Sequence, residues 1–140
     1  MKAFIDTSAF IALIFQNEKL HSHVVEKYQF YKKQKTIFIT SDYILDELYT
    51  RCLYKGGEMG ARQAIKHITE AQVLKQLAVL AVDSTIFKKA EQVFLKFLDQ
   101  QVSFTDAVSY VLCKEFKIDE IFTLDADFKK MRLNTSFLIW

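Results

Sequence analysis

KAFIDTSAFIALIF, residues 2–15, reads as a strand that runs straight into a helix. Residues 2–5 make the short apolar run expected of a strand buried on both faces. Residues 7–15 follow as a helix, with Asp6, Thr7 or Ser8 at its start, residue types that suit a helix N-terminus. Lys2 ahead of an apolar run resembles a short signal peptide. Asp6 interrupts that run, however, and no small-residue cleavage site precedes Gln16, Asn17 and Glu18. The apolar stretch 9–15 is far too short to span a bilayer. The chain therefore reads as soluble and cytoplasmic, with no membrane partner.

The same alternation continues outward. Residues 19–33 carry Leu20, Val24, Tyr28 and Tyr31 at spacings of three and four, the mark of an amphipathic helix. TIFIT, residues 36–40, is β-rich, and Ser41 is a good cap for a helix running to about Lys55. Gly56 and Gly57 stop that helix, and residues 58–75 are expected to return as its hairpin partner. Residues 77–82 read as a third strand and 84–99 as a long amphipathic helix. Residues 104–116 are apolar on most sides and predict a buried helix. Residues 120–124 make a fourth strand, 126–131 a short helix and 136–140 a fifth strand at the edge. Strands alternating with helices predict a parallel sheet covered on both faces. The expected fold is α/β: one domain over residues 1–140, an α/β/α sandwich with a central, mainly parallel sheet.

Composition agrees and excludes several functions. At 140 residues the chain fits a single domain that buries about 68% of its unfolded surface, enough for a core without staples. Nineteen basic and seventeen acidic residues leave a net charge of +2, which neither demands nor excludes nucleic acid. There is no proline, and the three glycines, Gly56, Gly57 and Gly60, share one short stretch. Phosphate-cradling and dinucleotide-binding loops need glycines directly after a strand, so both drop out. Cys52 and Cys113 form no CxxC pair and read as reduced core thiols. His21, His23 and His67 form no zinc pattern.

Open parallel sheets build their sites at the carboxyl ends of strands. Asp6 closes the first strand, Asp125 closes the fourth, and Asp106 opens the buried helix. Glu47 lies in the second turn of the helix capped by Ser41. Each has an ordinary structural role available. Asp6 and Asp125 suit helix caps, Glu47 can pair with Arg51 at i,i+4, and Ser103 with Asp106 has capping-box spacing. Asp46 shares a face with Asp42 and Thr50 and reads as solvated. Four acids brought to one sheet edge would repel each other and take up protons. A divalent cation removes that conflict, and oxygen ligands favour Mg²⁺ or Mn²⁺ over zinc or copper. Such an ion activates water and neutralises phosphate charge, which points to phosphoester chemistry.

Four strings, FIDTSAFIAL (residues 4–13), SDYILDEL (41–48), SFTDAVS (103–109) and IFTLDADF (121–128), resemble PIN domains. More narrowly, they resemble the VapC-type toxin ribonucleases of prokaryotic toxin–antitoxin pairs. The resemblance runs from Lys2 to about Met131 in the family's order. It implies an Mg²⁺- or Mn²⁺-dependent endoribonuclease whose catalytic and metal-binding acids are Asp6, Glu47, Asp106 and Asp125. Thr123 takes the family's hydroxyl position, Thr7 and Ser8 are the small polar residues beside the first aspartate, and Asp127 is a candidate extra acid. It also implies a homodimer, an RNA substrate (tRNA or another structured RNA) and a small antitoxin partner.

Basic patches suit such a substrate: Lys27, Lys32, Lys33 and Lys35; Arg51 and Lys55; Arg62 and Lys66; Lys129, Lys130 and Arg132. Tyr28, Tyr31, Tyr49 and Tyr54 are interleaved with the first two, where they would stack on bases, pack in the core or cover an interface. An aspartyl-phosphate phosphatase would want D-x-D after the first strand, where this chain has Asp6-Thr7-Ser8. A phosphoacceptor signalling domain would want a second acid there and a lysine closing the last strand. The remaining alternative is a non-catalytic RNA- or antitoxin-binding module on the same fold.

Overall fold

The computed structural model describes residues 1–131 and the backbone of 136–139. Along the chain come β1 (Lys2–Ile5), α1 (Thr7–Ile14), α2 (His21–Lys33), β2 (Ile37–Ser41), α3 (Asp42–Val73) and β3 (Leu77–Leu80). They are followed by α4 (Ser84–Lys96), a 3₁₀ turn (Leu98–Gln100), α5 (Phe104–Glu115), β4 (Glu120–Thr123), α6 (Asp127–Lys130) and β5 (Ser136–Ile139). The five strands form one parallel sheet in the order β3-β2-β1-β4-β5. Residues 132–135 and 140 lie outside the described residues, and with them Arg132 of the last basic patch and the end of the expected fifth strand.

That strand order follows from local rules. Right-handed crossovers from β1 to β2 to β3 lay α1, α2 and α3 on one face, and the return to β4 lays α4 and α5 on the other. The order reverses between β1 and β4, so the carboxyl ends of these two strands flank the crevice where open α/β sheets bind ligands. Phe4, Phe122, Ile121 and Leu112 are among the largest buried side chains at the centre. α5 is buried over most of its length, as its composition predicts. Cys52 and Cys113 are free and buried. Among the described residues no helix is long and apolar enough to cross a membrane.

The expected helical hairpin is continuous in hydrogen bonding but breaks at Gly57, where φ is 64° and ψ is −156°. Side chains almost never adopt that conformation. A Cβ on Gly60 would meet the Cys52 carbonyl oxygen at 2.5 Å. Eight residues of straight helix would separate these positions by about 12 Å, so the two arms turn back on each other at this point. Gly60→Ala is therefore expected to cost about 1–3 kcal/mol through overpacking. The check is a lower urea midpoint at unchanged slope. A midpoint equal to wild type would mean the arms part without cost.

Of the roles open to the tyrosines among the lysines, packing wins for two of them. Tyr31 is no stacking platform: it is fully buried, its hydroxyl donates to Glu120 at 2.7 Å, and its ring meets Phe38 edge-on. Tyr28 is half-buried and stacks on Phe38 at a centroid distance of 5.0 Å. Core packing claims both rings, whereas Tyr54 is exposed.

Candidate metal centre

Asp6 follows β1 in an extended conformation at the N-cap position of α1, yet its side chain makes no capping bond. Its Oδ2 instead accepts the Thr123 hydroxyl at 2.8 Å and the Ser8 hydroxyl at 3.0 Å. Ser8 Oγ also accepts the Leu124 amide at 2.9 Å, and Thr123 Oγ1 accepts the Asp125 amide at 2.9 Å. Two hydroxyls thus tie the end of β1 to the turn after β4. Alternation along the strand sets Thr123 on the same face as Asp125, and Thr123 is fully buried. Thr7 behaves differently from Ser8, since its Oγ1 is buried without a partner.

The turn after β4 is organised by its own acids. Asp125 Oδ1 accepts the Asp127 amide at 2.9 Å, which directs both carboxylates toward the first turn of α5. Asp106 stands in that turn behind Ser103, whose hydroxyl caps the helix by accepting the Asp106 amide at 3.0 Å. One carboxylate oxygen from each of Asp106, Asp125 and Asp127 lies within 4.8 Å of the others. Lys130 balances part of this charge through an ion pair with Asp127 at 2.8 Å. Reading the sequence misses Lys130 as a neighbour of the site, although its i,i+3 spacing from Asp127 carries the signal.

Electrostatics link Asp6 and Glu47 to this trio. Burial pushes the Asp6 carboxyl above its ordinary value; the Thr123 and Ser8 hydroxyls and the Thr7 amide oppose the rise, and the Glu47 charge adds to it. Burial also pushes Asp106 up to about 7, followed by the charges of Asp6 and Asp125; Ser103 pulls it back and Asp127 adds to it. Glu47 is half-exposed and pairs with Arg51 at 3.4 Å, the i,i+4 contact its spacing predicts. The structure therefore brings Asp106, Asp125 and Asp127 into one tight group. Asp6 and Glu47 stand outside that group: Asp6 is held in the hydroxyl network and its charge is felt at Asp106, and that of Glu47 at Asp6.

Clustered carboxylates around a buried acid repel each other unless protons or a cation intervene. The candidate donors are all hard oxygens from four chain segments, which suits Mg²⁺ or Mn²⁺ and disfavours soft metals.

Comparison with known proteins bears on the family and the fold. The PIN domain family matches residues 3–133. Toxin VapC20 of Mycobacterium tuberculosis, described as cleaving the sarcin–ricin loop, superposes with a TM-score of 0.78 at 21% identity, covering 96% of this chain and 98% of that one. VapBC2 of Rickettsia felis, solved bound to a DNA fragment from its promoter, gives 0.72 at 12% identity, covering 100% and 99%. A protein of Pyrobaculum aerophilum gives 0.61 at 16% identity, covering 98% and 89%. No curated protein matches the chain in sequence.

Proposed function

The chain belongs to the PIN domain family, and on that premise we propose that it is a metal-dependent endoribonuclease, the toxin of a toxin–antitoxin pair. The observation that carries this reading is the charge imbalance at the β1–β4 crevice. Three carboxylates meet within 4.8 Å, and burial followed by the charges of Asp6, Asp125 and Asp127 pushes Asp106 up to about 7. Asp106 and Asp125, with Asp6 and Glu47, would hold Mg²⁺ or Mn²⁺, and Asp127 is positioned to join them. Such an ion supplies charge neutralisation at a phosphate and a water of lowered pKa. The chain's own part is preorganisation. Ser8 and Thr123 fix Asp6, the Asp125–Asp127 turn sets the facing acids, and the Ser103 cap holds Asp106.

The substrate is RNA, tRNA or another structured RNA, and the protein acts in the cytoplasm as a homodimer. An open, mainly apolar cavity of about 370 Å³, where Phe10, Leu13, Ile14 and Ile68 share the wall with Gln29 and Glu70, supports a small antitoxin as partner, because it would accept an amphipathic segment.

Titration calorimetry with Mn²⁺ tests the centre without requiring the right RNA. Wild type is expected to bind Mn²⁺ saturably, and Asp6→Asn and Asp125→Asn to lose that binding while remaining folded. Absence of binding in folded wild type would overturn the nuclease and leave a non-catalytic binding module.

A further inference from the structure

A second open cavity, of about 520 Å³, lies at the amino-terminal edge of β2 and β3, the opposite pole from the carboxylates. Three lysines line it: Lys32 and Lys35 from the end of α2, and Lys75 from the end of α3. Gln72 and Gln76 add amide donors, and among the described residues no acid belongs to its wall.

The convergence is built by the fold. α2 and α3 end on the same motif, in which the Thr36 amide reaches back to the Tyr31 carbonyl and the Gln76 amide to the Ala71 carbonyl. In each, the residue before the returning amide takes a left-handed conformation: Lys35 at φ 55° and Lys75 at φ 56°. Glycine is the usual occupant of that position. Because β2 and β3 are parallel neighbours, with Phe38 level with Leu77, the two turns stand side by side. Lys75 thereby joins a basic patch forty residues away in sequence. Arg51, Lys55, Arg62, Lys88, Lys89 and Lys130 have carboxylate partners. Among the described residues, Lys32, Lys35 and Lys75 pair with no carboxylate, and Lys32 rests over the Tyr28 ring at 5.6 Å.

We propose that this lysine pocket is a second RNA contact, which holds backbone phosphates without reading sequence. The proposal rests on the ribonuclease reading above. The carboxylate centre repels a polyanion, so affinity for RNA must come from cations elsewhere, and phosphate contacts supply most non-specific binding. The pocket suits a strand backbone better than a single captured anion. Its charges are flexible lysines on two separate turns rather than fixed amides converging on one point, which suits successive phosphates of a strand.

The test is binding of a fluorescein-labelled oligouridine and a labelled stem-loop to the metal-free protein, between 50 and 200 mM KCl as an order-of-magnitude range. The variant is Lys32→Gln/Lys35→Gln/Lys75→Gln. Glutamine at Gln101 already holds the same left-handed conformation, so the exchange suits both turns. Affinity is expected to fall about tenfold or more, and the log–log salt slope by about 2, near 0.7 for each lost contact. A charge-matched control, Lys19→Gln/Lys96→Gln/Lys117→Gln, in which Lys117 holds the same left-handed conformation at φ 52°, is expected to change both far less. Equal losses in the two variants, or unchanged binding in the first, would overturn the pocket alone. Displacement of the RNA by millimolar inorganic phosphate at constant ionic strength would reassign it to a free anion. A wild type that binds neither RNA would overturn the pocket together with the ribonuclease reading.

Discussion

Asp106→Asn is expected to lower RNA cleavage on the order of 10³-fold while making the metal-free protein more stable at neutral pH. The two effects share one cause. Asp106 is buried at the first turn of α5, and burial followed by the charges of Asp6 and Asp125 pushes its carboxyl up to about 7. Above that pH an ionised Asp106 is held against its neighbours' charge. Asparagine keeps the shape and a hydrogen-bonding oxygen but removes the charge, so the repulsion disappears. The ion then loses a ligand, and charge stabilisation worth several kcal/mol corresponds to about three decades in rate. The readouts are initial rates of RNA cleavage in Mn²⁺ and the unfolding midpoint in EDTA. Wild-type cleavage by this variant would remove Asp106 from the centre. A lower midpoint in EDTA would show that its carboxylate serves the fold.

The strands and most helices were legible in the sequence because their signals are local. Ser41 caps α3 by accepting the Ile44 amide at 3.2 Å, and the Gly56-Gly57 stop lies where the helix breaks. Asp6, Asp106 and Asp125 were also readable as groups at strand ends and a helix start, and Glu47 as one in the second turn of α3. Their internal arrangement was less so, because it depends on contacts between distant segments. Asp6 sits at an N-cap position, yet its carboxylate goes to Thr123, 117 residues away, and no local pattern announces that choice. Asp127 draws close to Asp106 because the Asp125 side chain binds its amide and closes the turn. For Tyr31 the sequence left stacking, packing and interface roles open, and only the contacts of its ring with Phe38 of β2 and Phe122 of β4 decide for packing. Lys75 could not be grouped with Lys32 and Lys35 until β2 and β3 were known to be neighbours.

Metal-free protein should lose stability as pH rises from about 4 to about 7, opposite to the usual trend for proteins with salt-bridged acids. Asp106 has an ordinary value of 3.8 and is pushed up to about 7, and Asp6 moves in the same direction. In that window the folded chain holds protons that the unfolded chain has released, so stability falls with pH. The Asp106 contribution is fully present below its unfolded value and is lost as pH passes its folded one. A shift of this size is worth up to about 4 kcal/mol. Mg²⁺ or Mn²⁺ should reverse the loss near pH 7.5, because an ion that binds only the folded chain stabilises it by about 2.7 kcal/mol at a hundred times its dissociation constant. The measurement is the unfolding midpoint from pH 4 to 8, with EDTA or with Mn²⁺. The gap between the two curves should open as pH rises and stay narrow in Asp106→Asn. Parallel curves for the wild type would mean that the ion does not bind at the carboxylates that repel each other. A flat EDTA curve would mean that Asp106 ionises near its ordinary value, and the charge imbalance on which the metal assignment rests would be gone.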